Sequence, residues 1–148
     1  MGGYLGGCDA VFNDARIAPE KRVSAHFGVA LDGRVHQYVR LADTAWANGV
    51  LEAGNRWPGA PGVNPNLESI SIETEDRAAG ATPVSDAQYA AVLALCVAVI
   101  LPTCPTISML VAHSVISPHS RPNCPGPRWI ASGRFAALAE ALGIAAVA

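Results

Sequence analysis

The chain has 148 residues, of which 51% are hydrophobic and 15% are charged, and its formal net charge is −2. This length fits one domain with a hydrophobic core, and we predict a single domain over residues 1–148. The composition excludes a disordered chain, and the slightly acidic balance argues against a nucleic-acid partner, which would require a basic surface.

Neither a signal peptide nor a membrane span is predicted. The N-terminus has no basic segment followed by an apolar one. The longest apolar run, Tyr89 to Leu101, is shorter than the roughly 20 residues that cross a bilayer, and we interpret it as a buried helix. We therefore expect a protein that is made in the cytoplasm and has no membrane partner.

Two alternating runs around Asp32-Gly33 predict a β-hairpin over Val23 to Val39. If those two residues form the loop, residue 31 pairs with 34 and residue 26 pairs with 39. One face then carries Phe27, Val29, His36 and Tyr38, and the other carries His26, Gly28, Val35 and Val39.

Residues 43–66 predict a long irregular loop that contains Trp46 and Trp57. Long loops of this kind often carry function, and indole rings offer flat binding surfaces. Packing of the two tryptophans over the core is an equally good interpretation at this point.

The segment Glu68 to Glu75 alternates strictly and predicts a strand. Ile70 and Ile72 share one face, and the opposite face carries Ser69, Ser71 and Glu73. Small polar groups beside a carboxylate favour the wall of a cleft, although an edge strand with a solvated face would show the same pattern.

The second half of the chain predicts helix, strand and helix. Ser85 and Gln88 form a capping box that opens a helix from Asp86 to Ile100. Its apolar stripe comprises Tyr89, Val92, Leu95, Cys96 and Val99. A buried strand from Ile107 to Ala112 and a helix from Arg128 to Leu142, stopped by Gly143, complete the order. We predict an α/β fold with a single mixed β-sheet flanked by helices.

His113 and Cys124 are the two candidate metal ligands. His113 follows the predicted strand directly, and Cys124 lies in a loop stiffened by prolines and a glycine. Imidazole and thiolate suit Zn²⁺ rather than Mg²⁺ or Ca²⁺, which prefer oxygen. With Glu73 as a proton acceptor, such a set fits a zinc hydrolase.

Five segments resemble the type 2, zinc-dependent N-acetylmuramoyl-L-alanine amidases, a superfamily that includes phage endolysins and peptidoglycan-recognition proteins. They are VSAHFGVALDGRVHQ (23–37), DTAWANG (43–49), NLESISIE (66–73), AHS (112–114) and NCPGP (123–127). The resemblance covers nearly the whole chain and implies a peptidoglycan-recognition-protein-like fold. It implies hydrolysis of the amide bond between N-acetylmuramic acid and L-alanine in peptidoglycan or a muropeptide.

The resemblance also implies residue roles. Glu73 would be the general base, and His113 and Cys124 would bind Zn²⁺. Arg121 stands near the place of a family lysine that steadies the developing oxyanion, so it is the second catalytic candidate. The implied substrate-binding residues are His26, Trp46 and Asn48.

One family feature has no counterpart in the given sequence, namely an N-terminal strand that ends in the first zinc-binding histidine. We expect the domain to be truncated at this end relative to the family, as a fragment or as a decayed copy, with His26 a less favoured substitute ligand. The alternative function is a non-catalytic module that binds peptidoglycan; the least favoured interpretation is a purely structural domain. We expect a bacteriolytic monomer that acts on the cell wall as a phage or prophage lysin.

Overall fold

The computed structural model describes residues 5–18, 21–77 and 82–148. The strands are β1 (Phe27–Val29), β2 (Val35–Gln37), β3 (Ile72–Thr74), β4 (Met109–Val111) and β5 (Ala145–Val147). The α-helices are α1 (Leu5–Phe12), α2 (Asp86–Leu95), α3 (Leu101–Thr103), α4 (His113–Ile116) and α5 (Arg134–Leu142). A 3-10 turn covers Pro65–Leu67, and a π-helical turn over Cys96–Ile100 joins α2 to α3.

The strands confirm the α/β class and its mixed sheet. Strand β1 lies in the middle of a three-stranded sheet, antiparallel to β2 and parallel to β3. Within the described residues, β4 and β5 form a second, parallel sheet of two strands. The sequence predicted one sheet and did not predict β5, which follows the left-handed Gly143 that ends α5.

The predicted hairpin is present, but its register is wrong by one residue. Gly28 pairs with His36, whereas the two-residue loop would have placed it opposite residue 37. The Ala30 N–H donates to the Arg34 carbonyl at 2.9 Å, which leaves a loop of three residues with Gly33 in the left-handed region at φ 86°. This is the three-residue hairpin form, in which a glycine takes the left-handed position. His36 therefore shares the face of Gly28 and not that of Phe27.

The capping of α2 is confirmed. Ser85 Oγ accepts the Gln88 N–H at 3.0 Å, as the N-cap position requires. The Gln88 side chain does not complete a capping box, because it is fully buried and its Nε2 donates to the carbonyls of Val29 and Glu75. These bonds fix the helix against β1 and the end of β3.

The predicted stripe of α2 changes at the π-helical turn. The extra residue in that turn shifts the helical phase, so Ile100 is buried and Val99 is exposed. The helical stretch Asp86–Thr103 has the length and composition to cross a membrane. Here one side of it packs in the core, through Val92, Leu95, Cys96 and Ile100.

The core lies between the two sheets and the helices α2 and α5. Its largest buried members include Phe27, Trp129, Phe135 and Leu138, and Ile70 and Ile72 pack against it as their shared face predicted. The predicted helix over 128–142 is shorter, because residues 126–133 form turns and α5 begins only at Arg134. Helix α1 was not predicted, since its glycines weaken any helical pattern.

Candidate active site

A cleft of about 510 Å³ separates β3 from β4. One wall is formed by residues 68–74, and the other is formed by residues 106–113. Cys124 and Pro125 lie at the cleft, and the core side chains Trp129, Phe135 and Leu138 contribute to its lining. The edges of the two sheets therefore place Glu73, His113 and Cys124 around one cleft.

The His113 ring is held by the long loop. His113 begins α4 and is separated from the end of β4 by Ala112 alone, close to the strand end that the sequence predicted. Its Nε2 lies 3.3 Å from the carbonyl oxygen of Asn48. Since a carbonyl only accepts, Nε2 carries the proton, and in the neutral ring Nδ1 keeps its lone pair. Burial lowers the pKa of His113, and the Asn48 carbonyl opposes that shift only in part.

Cys124 is positioned beside His113 by backbone hydrogen bonds. Its carbonyl accepts the Ser114 N–H at 3.0 Å, and its own N–H donates to the Arg121 carbonyl at 3.1 Å. The peptide bond to Pro125 is cis. Burial raises the pKa of the Cys124 thiol to about 11, the charge of Glu73 adds to the rise, and Arg121 opposes it. Without a cation the sulfur is therefore a neutral thiol at pH 7.

Glu73 lies in the middle of β3, opposite Gly28 of β1, and its side chain is exposed. On that face helix α1 approaches closely, because a Cβ at Gly28 would lie 2.8 Å from the Leu5 side chain. Burial raises the pKa of the Cys8 thiol in α1 to about 11, and Glu73 contributes to that rise. The negative charge of Glu73 thus contributes a rise to the pKa values of Cys8, His113 and Cys124.

Arg121 lies on the exposed rim of the site, three residues before Cys124. Its positive charge lowers the pKa of both His113 and Cys124, whereas the negative charge of Glu73 raises both. Its backbone N–H donates to the Ser117 carbonyl at 2.8 Å, which links the turn to the end of α4. Arg121 is not among the residues that line the cleft, and its link to the site is this electrostatic effect on His113 and Cys124.

The donor set matches zinc in chemistry but is incomplete. His113 and Cys124 line the same cleft, and a neutral imidazole and a cysteine that loses its proton on binding are normal zinc ligands. Among residues 5–18, 21–77 and 82–148, however, no three histidine, cysteine or acidic side chains lie close enough together to hold a metal ion. The described part of the chain therefore offers two candidate ligands, His113 and Cys124, and not a complete metal site.

Comparison with known proteins decides the family. The family model of the N-acetylmuramoyl-L-alanine amidases (Amidase_2) matches residues 3–127. The chain belongs to this family. It is 32% identical to the AmpD protein in a crystal structure of a selenomethionine derivative, with a TM-score of 0.67 over 93% of this chain and 75% of that one. No curated protein matches the chain.

A second solved structure shows the same fold. It is the amidase AmiD from E. coli, in complex with its substrate anhydro-N-acetylmuramic acid-L-Ala-D-gamma-Glu-L-Lys. The identity is 24% and the TM-score is 0.69, over 97% of this chain, which spans about half (54%) of the length of AmiD. At this identity the likeness to AmiD shows the fold alone, and the family model is what assigns the chain to the N-acetylmuramoyl-L-alanine amidases.

In this amidase His26 is buried, with 1% of its surface exposed. Its Nδ1 accepts the Ser71 N–H at 3.1 Å, and its Nε2 lies 3.1 Å from the Asp43 carbonyl. Both ring nitrogens are thus engaged, which leaves neither for a substrate or a metal. In the structure the ring joins the start of the long loop to the strand that carries Glu73.

The His26 contacts predict a pH dependence of stability. Burial lowers the pKa of His26, and the Asp43 carbonyl opposes this only in part. The unfolded chain takes up the proton at a pKa of about 6.5, so this stability is complete above that pH and is lost as the pH falls through the folded value. We expect the free energy of unfolding of the metal-free protein, measured in urea, to fall between about pH 7.5 and 5.5. The variant His26→Gln should show a smaller fall, with His113 supplying the remainder; an unchanged fall would exclude His26 as a source.

The long loop of this amidase brings Asn48 and Trp57 to the cleft. Asn48 was a predicted substrate-binding residue, and its carbonyl is the partner of His113. Trp46 is half exposed, with its backbone N–H bonded to Ser24 Oγ, and its neighbour Ala47 lines the cleft. Of the two tryptophans, Trp57 is thus the one that lines the cleft.

The sequence analysis missed two residues, Glu52 and Asn66, that do not line the cleft but hold segments beside it. Glu52 accepts the N–H groups of His119 and Ser120 at 2.7 and 3.1 Å, and bonds from Ser120 and His119 lower its pKa. Asn66 is buried, with 3% of its surface exposed, and accepts the Asn48 N–H at 2.8 Å. Polar residues in a long loop were the available signal, but their partners lie 18 to 68 positions away in the sequence.

Proposed function

We propose that this amidase hydrolyses the amide bond between N-acetylmuramic acid and L-alanine, with Glu73 as the general base and with zinc held in part by His113 and Cys124. The observation that carries the proposal is that these three side chains border one cleft, where the Glu73 charge acts on the other two. The muropeptide bound by AmiD, a protein of the same fold, supports a muropeptide substrate.

The hydrogen bond from His113 to Asn48 supports the metal role. Zinc-binding histidines usually donate their second nitrogen to a carbonyl or carboxylate, which fixes the ring and its tautomer. His113 makes this kind of bond through Nε2, and Nδ1 is then the atom that would bind the metal. Since the described residues supply two ligands, a third donor would come from outside them or from solvent.

Each residue then has a chemical task. When bound, Zn²⁺ supplies Lewis-acid activation of water and of the amide carbonyl. The exposed carboxylate of Glu73 takes the proton of the attacking water and passes it to the leaving amine. Arg121, as a permanently charged donor on the rim, would stabilise the developing oxyanion. Action as a phage or prophage lysin stays a prediction.

The zinc proposal is tested by metal content and product together. We expect the purified chain, loaded with Zn²⁺, to retain the metal in elemental analysis and to release the stem peptide from a muropeptide in mass spectrometry. Cys124→Ser and His113→Ala should each lose the metal and lower the thermal midpoint, because zinc binding stabilises the folded state.

Cys104→Ser is the matched control for the thiol. Cys104 is half-buried outside the cleft, so this variant should keep both metal and turnover. A Cys124→Ser variant with full zinc content would contradict the ligand role. Bound muropeptide without product would instead indicate a binding module.

A further inference from the structure

The peptide unit between Asn48 and Gly49 is held from both sides by one buried side chain. Asn66 Oδ1 accepts the Asn48 N–H at 2.8 Å, and Asn66 Nδ2 donates to the Gly49 carbonyl at 3.0 Å. Between these two bonds lies the Asn48 carbonyl, which points to His113 Nε2 at 3.3 Å. Gly49 has φ 64°, a conformation that L side chains rarely adopt.

We call the Asn66 side chain with its two backbone bonds the clamp, and other hydrogen bonds fix this clamp in the fold. The Asn66 N–H and Nδ2 both lie 2.9 Å from Asn64 Oδ1, where Asn64 caps the 3-10 turn Pro65–Leu67. The Asn48 side chain donates to Ser69 Oγ at 2.8 Å, and that hydroxyl donates to the Pro65 carbonyl at 2.6 Å. Asn64, Asn66 and Ser69 lie in the segment that leads into β3, the strand of Glu73. Through the Asn48 carbonyl, the clamp therefore connects this segment to the ring of His113.

We infer that Asn66 is a positioning residue, which acts through the Asn48 carbonyl to hold the His113 ring with Nε2 protonated and Nδ1 presented to the cleft. The inference rests on the proposed function for its catalytic meaning, but its structural part concerns only the metal-free protein. The buried Asn66 amide makes one backbone bond before the Asn48 carbonyl and one after it. These two bonds leave the Asn48 carbonyl little freedom to turn away from His113.

The direct test is an NMR measurement on the metal-free protein. In the wild type, the His113 Nε2–H proton is expected to exchange slowly with water and to give a resolved downfield signal, which is assigned by its loss in His113→Gln. In Asn66→Ala the Asn48 carbonyl is released, and we expect this signal to disappear. A merely structural role of Asn66 would lower the thermal midpoint and leave the signal in place.

Asn55→Ala is the matched control. Asn55 lies in the same loop and also joins two backbone groups, donating to the Glu52 carbonyl at 2.7 Å and accepting the Trp57 N–H at 3.2 Å. In the described part of the chain its side chain makes no hydrogen bond to Asn48 or His113, so this variant should retain the His113 signal even if the loop is destabilised. Should Asn66→Ala fail to fold, Ser69→Ala leaves both Asn66 backbone bonds in place, removes the bonds from the Asn48 side chain and to the Pro65 carbonyl, and should speed exchange of the same proton.

The second measurement is zinc affinity, determined by competition with a chelator. Loss of a group that orients a metal-binding histidine typically costs about 10- to 100-fold in metal affinity, and we expect Asn66→Ala to lie in that range while Asn55→Ala does not. A retained His113 signal with unchanged zinc affinity in Asn66→Ala would overturn the inference. If no variant and no wild type binds zinc, the proposed function fails, while the NMR signal still decides the positioning role.

Discussion

Replacing Glu73 with Gln is expected to reduce muropeptide turnover by about 100- to 10,000-fold, the usual contribution of general acid–base catalysis. The amide has the shape of the carboxylate but cannot take the proton of the attacking water. The Glu73 side chain is exposed in the middle of β3, so the substitution should change neither the fold nor the zinc content. The check is turnover by mass spectrometry, with metal content measured on the same sample.

Glu140→Gln is the control for the loss of a negative charge. Glu140 is exposed near the end of α5, away from the cleft. This variant should match the wild type in turnover and metal content. If Glu73→Gln also kept its turnover, the base would have to be another group and the proposed role of Glu73 would be wrong.

Replacing Arg128 with Met is expected to lower the free energy of unfolding by about 3–5 kcal/mol, the usual cost of removing one partner of a buried ionic network. The Arg128 side chain is 3% exposed and lies 4.0 Å from the Asp76 carboxylate. Its guanidinium also donates to Thr74 Oγ1 and Gln88 Oε1, both at 3.1 Å. Loss of these bonds leaves a buried amide oxygen without its donor.

Arg40→Met is the matched control for this prediction. Arg40 pairs with Asp43 at 2.7 Å, but its side chain is 83% exposed. Exposed pairs contribute roughly 0.2–1 kcal/mol, so this variant should stay close to the wild type in urea unfolding. Equal losses in the two variants would show that burial of Arg128 adds nothing to stability.

Local signals in the sequence predicted those features that depend on neighbouring residues. The cap by Ser85, the stop at Gly143 and the hairpin around Gly33 all follow from the side chain or backbone of a few adjacent positions. His113 was expected after a strand because an apolar run ends there. The family resemblance, which the family model confirms, could also be seen in the sequence because its motifs are short and contiguous.

Features that depend on distant partners were not predictable. The hairpin register differs because Gly33 takes the third position of a longer loop, a choice that periodicity alone cannot make. Burial passes from Val99 to Ile100 because of one π-helical turn. Strand β5 forms because it pairs with the edge of β4, a partner distant in the sequence. The bonds of Asn66 and the burial of His26 are set by segments far away in the chain.

The division into two sheets has a consequence for catalysis. Glu73 belongs to the first sheet, whereas His113 follows a strand of the second. Within the described residues no continuous backbone ladder joins the two, so their separation is set by side chains such as Phe135 and Leu138 that fill the space between. A substitution that loosens this packing, even far from the cleft, should therefore change the distance between the Glu73 carboxylate and the His113 imidazole.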